Sequence, residues 1–201
     1  MQDGRWIGVP ASETGERLAD LLDRFGRMAR ALQFAHGLNP AQWECLRLIA
    51  RVNCLSRTPS ALAIFLGTTK GTASQTIIAL ENKGCVRRAR TDGDRRVTRL
   101  EITETGQELL ARDPLLCLEQ AVQRLPLELV ETLTEGMGCL TDSLQSYYGK
   151  REFGVCVRCG HFRGTTDNGG AHCGLKETEL PAEEAKRLCV NFSSDQAEAQ
   201  G

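Results

Sequence analysis

Residues 58–103 read TPSALAIFLGTTKGTASQTIIALENKGCVRRARTDGDRRVTRLEIT, and the change of period along this stretch decides the fold. Ser60, after Pro59, is placed to cap a short helix over SALAIFLG, which stops at Gly67, a residue free to take the left-handed conformation that ends helices. Thr68 or Thr69 caps a second helix over KGTASQTIIALENKG, closed by Gly84. Two short helices across a tight turn form a helix-turn-helix pattern. Beyond Gly84 the period drops to two. CVRR and VTRLEI read as strands joined through Asp92-Gly93, a dipeptide suited to a hairpin turn.

A helix reads the major groove when its inner face is apolar, its outer face carries short polar groups, and a preceding helix lies across the backbone. On the second helix Ala73, Ile77 and Leu80 share one face, with Thr69 at the cap and Lys70, Thr72, Ser74 and Gln75 near the exposed first turns. The hairpin concentrates charge. From Cys85 to Arg99, six arginines (Arg87, Arg88, Arg90, Arg95, Arg96, Arg99) stand against Asp92 and Asp94, a local balance of +4, although the chain's net charge is only −1. The patch, and not the whole molecule, is suited to phosphates. Taken alone the two helices also fit an ordinary bundle; the arginine-rich hairpin directly behind them favours double-stranded DNA.

Working outward, residues from about Thr14 to Ala35 read as a helix, with Leu18, Leu21, Leu22, Phe25, Met28, Ala29 and Leu32 at three- and four-residue spacing. Asn39 as N-cap and Pro40 at the first helical position restart a helix that carries Trp43, Leu46, Ile49 and Ala50 inward. Thr103 and Gly106 open a helical tract to about Arg124, and Pro126 starts another from Leu127 to Tyr147. The helices at Leu18–Leu32 and Leu127–Leu144 carry more apolar residues than one subunit of this size buries, as a dimerising face requires; the alternative is a two-sided core helix.

The run from Leu38 to about Leu110 resembles regulators of the MarR (multiple antibiotic resistance regulator) family. The matching residues are the helix-turn-helix quoted above, the wing phrase DGDRRVTRLEIT from Asp92 to Thr103, and the ETGQELL that follows. The resemblance implies a homodimer, with two winged helices straddling a pseudo-palindromic site. It also assigns Asp92 and Arg96 to organising the wing, and Arg95 or a neighbour to the minor groove or its phosphates. Two positions depart from the family pattern: Thr76 stands where a large aliphatic is expected, and Ile78 where a polar residue is usual.

Nine cysteines fall into two populations. Cys45, Cys54, Cys85, Cys117 and Cys139 are scattered, mostly on apolar faces where cysteine acts as a small hydrophobe. Cys156, Cys159, Cys173 and Cys189 crowd into a glycine-rich segment too poor in apolar residues to build its own core. A C-x-x-C turn followed by two single cysteines supplies four thiolates for one metal centre, either a [4Fe–4S] cluster or Zn2+. The order is similar to high-potential iron-sulfur proteins and to small cluster-bearing subunits of glycyl-radical enzymes; two C-x-x-C knuckles, the usual zinc-ribbon pattern, are lacking. A redox disulfide pair or inert thiols is the remaining alternative. His161 and His172 rank as outer neighbours of a set that four cysteines complete.

The N-terminal MQDGRWIGVPASETGERLAD has no basic stretch leading into an apolar one, and no segment reaches the roughly 20 apolar residues of a membrane span. A cytoplasmic protein with no membrane partner is expected. No nucleophile has a neighbouring base, and no glycine loop is built to cradle phosphate, so an enzyme is not expected. The expected class is mainly α with a small β-wing (α+β). Residues 1–36 form an N-terminal dimerisation helix, 37–104 the winged helix, 105–149 C-terminal dimerisation helices, 150–192 the four-cysteine module and 193–201 a tail. The function read from this is a DNA-binding regulator, with repression favoured, modulated by a metal centre that senses redox or iron status. The alternatives are a regulator answering a small apolar or phenolic effector with a structural zinc, and an iron-sulfur accessory or electron-transfer protein.

Overall fold

In a computed structural model, residues 12–91, 94–148 and 153–194 are described, without the side chains of residues 90–97 and 145–148. Helix α1 runs Glu13–Leu32 behind Ser12, whose hydroxyl accepts the Gly15 N–H. Helix α2, Pro40–Arg51, starts on a full capping box: the Asn39 side chain accepts the Gln42 N–H at 3.0 Å, and the Gln42 side chain accepts the Asn39 N–H at 3.2 Å.

Helix α3 spans Pro59–Phe65, and its N-cap is Thr58, whose hydroxyl accepts from the Ala61 N–H at 3.2 Å. The expected cap, Ser60, lies inside the first turn. Pro59 explains the shift: its fixed φ suits the first helical position, which moves the cap one residue ahead of it. Gly67 has φ +60° and ends this segment as expected. Helix α4, Lys70–Asn82, is capped by Thr69. Strands β1 (Val86–Thr91) and β2 (Asp94–Ile102) pair antiparallel, from Val86 opposite Ile102 to Thr91 opposite Asp94. Asp92 and Gly93 lie outside the described residues.

The tract expected to run unbroken from Thr103 to Arg124 is two helices, α5 (Glu104–Leu110) and α6 (Leu116–Val122). Pro114 accounts for the break, since it has no N–H to give and its ring would strike the carbonyl four residues earlier. Asp113 shapes the gap, accepting the Leu115 N–H at 2.9 Å and pairing with Arg47 at 3.0 Å. Helix α7 then runs Leu127–Tyr148.

The main core joins Trp43, Leu46 and Ile49 of α2 to Leu62 of α3, Ile77 and Leu80 of α4, and Val86 and Leu100 of the hairpin. Ala50 is only half-buried, at the edge of that face. Cys45 and Cys85 are buried within the core, and burial, followed by the charge of Glu44, pushes the Cys45 thiol up to about 12. At neutral pH it stays protonated, a packing group and not a reactive thiol. Helix α1 buries none of its residues, and α7 none from Leu127 to Leu144. No described helix is long and apolar enough to cross a membrane.

The C-terminal segment folds as a 3-10 turn at Cys156–Arg158, then a sheet of β3 (Phe162–Thr165), β4 (Ala171–Cys173) and β5 (Thr178–Leu180), then the short helix α8 (Ala182–Ala185). Its core is small: Cys156, Ala171, Leu180 and Ala185, with Cys54 and Leu55 packed against them. The segment completes itself by borrowing apolar surface from the loop between α2 and α3.

Candidate nucleic-acid interface and four-cysteine site

The α4 helix is divided by its packing. Ala73, Ile77 and Leu80 are fully buried, while Thr69, Lys70, Thr72 and Gln75 are exposed and Ser74 is half-buried. Thr69 is occupied as the cap: its hydroxyl accepts the Thr72 N–H at 3.1 Å and lies 2.9 Å from the Thr72 hydroxyl. Thr76 turns its hydroxyl onto the Thr72 carbonyl at 3.1 Å, which lets a polar residue sit on the half-buried flank. Ile78 is 39% exposed on the outer face beside Gln75. There it offers an apolar contact of the kind a thymine methyl accepts. The polar side chains nearest the helix start are therefore Lys70, Thr72 and Gln75, next to unpaired helix N–H groups that favour phosphate.

The base of the wing carries less net charge than its sequence suggests. Arg87 pairs with Glu101 at 2.6 Å and Arg88 with Glu81 at 3.1 Å. These carboxylates come from the facing strand and from α4, outside the Cys85-to-Arg99 count or across its edge. Exposed pairs of this kind contribute only about 0–1 kcal/mol, so a phosphate can displace them. The assignments of Arg90, Asp92, Arg95 and Arg96 fall on side chains outside the described residues.

All four expected metal ligands line one recess. The C-x-x-C forms a single tight turn, with the Cys159 N–H donating to the Cys156 carbonyl at 3.0 Å. Cys173 ends β4, and Cys189 follows α8 and pairs with Gly154 across a single bridge. Burial first, then the charges of Cys189, Cys173 and Cys159, pushes the Cys156 thiol up to about 11. Four sulfurs around one recess are the kind of donor set that a soft cation or cluster takes. Among the described residues no three His, Cys, Asp or Glu side chains are gathered as a single metal ion requires. Zinc would draw the sulfurs to about 3.8 Å from one another, given Zn–S near 2.3 Å. Four cysteines lining one recess fit a thiolate-held centre in kind. His161 is half-buried and His172 exposed at the rim of the same recess.

The recess has a wall that its sequence does not announce. Asn53, from the α2–α3 loop, is fully buried in the same recess as the cysteines, and neither its Nδ2 nor its Oδ1 has a partner among the described residues. Around it the two parts of the chain are laced together. The Asn53 N–H donates to the Leu188 carbonyl at 2.9 Å and the Leu188 N–H to the Arg51 carbonyl at 3.1 Å. The Val190 N–H donates to Ser56 Oγ at 2.9 Å. Glu184 of α8 accepts from the Cys54 N–H at 2.6 Å and from Arg57 at 2.7 Å. Phe65 of α3 lies against Phe153, ring centroids 4.1 Å apart. No local pattern flags Asn53, Ser56 or Glu184, whose partners across this seam lie more than a hundred residues away in the chain.

A family model described as the MarR family matches residues 36–97. A protein of Thauera aromatica named "Putative transcriptional regulatory protein for hcr operon" is 32% identical over 118 residues, 58% of this chain and 67% of that protein. The transcriptional repressor MprA of Escherichia coli is 31% identical over 90 residues, which is 45% of this chain and 49% of MprA; the match thus spans about half of that repressor. The crystal structure of Streptococcus pneumoniae FabT in complex with DNA shares the fold at TM-score 0.53 and 22% identity, over 67% of this chain and 96% of FabT. The matched residues are the ones that build the helix-turn-helix and most of the wing, and the chain belongs to the MarR family of winged-helix transcription regulators, DNA-binding proteins rather than enzymes.

Proposed function

We propose that this protein is a homodimeric repressor that sets α4 into the major groove of each half of a pseudo-palindromic operator, with the wing on the flanking backbone, and that a centre held by Cys156, Cys159, Cys173 and Cys189 modulates its grip. The observation that carries the DNA-binding part is the division of α4 into a fully buried Ala73-Ile77-Leu80 face and an exposed Lys70-Thr72-Gln75 face, followed directly by the hairpin. Repression is the function named for MprA. Gln75→Ala is expected to lower affinity for the operator by about 1–3 kcal/mol and to relax base preference. Lys70→Ala is expected to weaken all duplexes alike and reduce the slope of log affinity against log salt by about 1. Footprinting and salt-titrated binding read both effects, and unchanged behaviour in both variants would remove this placement of α4.

Of the centres the four thiolates suit, a [4Fe–4S] cluster is the one proposed, on the single C-x-x-C turn followed by two separate cysteines and on the lack, among the described residues, of three ligands gathered for one ion. When bound, such a cluster supplies a one-electron redox change and sensitivity to oxidants and to iron supply. Protein purified without oxygen is expected to be brown, with about four iron and four sulfide per chain, and Cys156→Ser with Cys159→Ser is expected to be colourless. A colourless wild-type protein with about one zinc per chain would make the module a structural staple. In that case the signal would belong to the cleft between the α1–α2 turn and α5, lined by His36, Lys83, Glu108 and Arg112. Leu38, Cys85 and Leu109 also line it, so the cleft sets an apolar wall beside a rim of mixed charge, which suits the small apolar or phenolic effector expected from sequence.

A further inference from the structure

We propose that the DNA-binding domain reads the four-cysteine centre through Asn53, whose carboxamide donates to a sulfur of the bound centre and thereby holds the loop from Val52 to Arg57 in the position that sets the helix-turn-helix. The inference rests on the thiolate-held centre proposed above and adds the route by which its state reaches DNA. A buried carboxamide with both ends unpaired is costly, and such groups in a folded core call for a partner such as an ion or a bound group. Asn53 is 0% exposed, both its polar side-chain atoms lack partners among the described residues, and it shares one recess with all four thiols. Thiolate and sulfide sulfurs are acceptors, so Nδ2 is the atom that meets them.

The mechanical link is short. Cys189 is bracketed by two hydrogen bonds from its neighbours to this loop: Leu188 accepts from the Asn53 N–H at 2.9 Å, and Val190 donates to Ser56 Oγ at 2.9 Å. One residue further, the Arg57 carbonyl accepts the Leu100 N–H of β2 at 2.8 Å, and the next residue, Thr58, caps α3. A displacement of Cys189 therefore reaches both the wing and the first helix of the helix-turn-helix within five residues of Asn53. The helix that adjoins the module in sequence is α7. The hydrogen-bonded seam instead lies between the module and the 50–57 segment, with Glu184 and Arg187 closing it on Arg57 and the Ala50 carbonyl.

The test compares the full-length protein, loaded and metal-stripped, by amide hydrogen exchange. Stripping is expected to lose protection at residues 53–58 and at Leu100 while leaving the middle of α7 unchanged; loss confined to α7 would overturn the route. Asn53→Leu, which keeps the branched skeleton of the side chain without its polar ends, is expected to retain its metal yet to bind operator equally, within about twofold, in loaded and stripped forms. Its reduction potential is expected to move to a more negative value, because a lost N–H donor to sulfur destabilises the reduced cluster. A loaded Asn53→Leu protein with wild-type potential and wild-type dependence of operator binding on the centre would overturn the role of Asn53. If that variant does not fold, the exchange experiment on the wild type decides the matter. Wild-type protein that binds neither iron nor zinc would instead sink the reading of the four-cysteine site itself.

Discussion

Leu133→Glu combined with Met137→Glu is expected to convert the protein to a monomer and to lower its affinity for a full operator by about 10²- to 10⁴-fold, the loss that follows when two linked half-site contacts become one. The argument starts from periodicity. Leu129, Leu133, Met137, Leu140 and Leu144 recur every three or four residues along α7, and Leu18, Leu21, Phe25, Met28 and Leu32 do so along α1; all ten are exposed in the single chain, Leu133 at 49% and Met137 at 46%. A helix with such a stripe buries it against something. Moving a half-exposed leucine fully out of water contributes roughly 1 kcal/mol per side chain, and a two-fold axis doubles every contribution. Two glutamates per chain would place four carboxylates in that seam, each at a cost of several kcal/mol. Sedimentation at micromolar concentration, with operator and half-operator titrations, checks both halves of the expectation. A variant that stays dimeric would relocate the interface away from α7.

The stripes, caps and recognition helix were readable because each depends on residues within one or two turns of one another. Asn39 with Gln42, Thr69 with Thr72, and Ala73-Ile77-Leu80 all carry their information at spacings of three and four. Where the reading slipped, a proline had changed the local accounting: Pro59 moved the α3 cap from Ser60 to Thr58, and Pro114 cut the tract after Leu110 in two. The pairing of the wing's arginines is not legible in the sequence for a different reason. Glu81 and Glu101 reach Arg88 and Arg87 through tertiary and cross-strand pairing, which a sum over consecutive residues cannot represent. The four cysteines were found because thiols are rare and their spacing carries meaning. Asn53 was not, because an asparagine in a loop is unremarkable until the recess behind it is seen.

Gly106→Val is expected to destabilise the fold by about 3–4 kcal/mol, lowering the melting temperature by about 10 °C. Helix propensity alone argues the other way, since replacing a glycine inside a helix ordinarily removes a penalty that reaches about 1 kcal/mol against alanine. Packing wins at this position. Gly106 is buried in the first turn of α5, and a Cβ there would stand 2.2 Å from the Cys85 carbonyl oxygen and 2.7 Å from Cγ2 of Ile102. The first is backbone and cannot swing aside. It is also the acceptor for the Thr103 N–H at 3.1 Å, and Thr103 in turn caps α5 by accepting the Gly106 N–H at 3.1 Å. Any side chain must push α5 off the base of the hairpin and break the cap, which itself contributes about 1 kcal/mol. Cys85 and Val86 lie in the same core as Ile77 and Leu80 of α4, so the displacement also loosens the recognition helix. Thermal unfolding of Gly106→Ala and Gly106→Val checks the sign: both are expected to melt below the wild type, valine further, and a stabilised alanine variant would show that α5 is free to move away from β1.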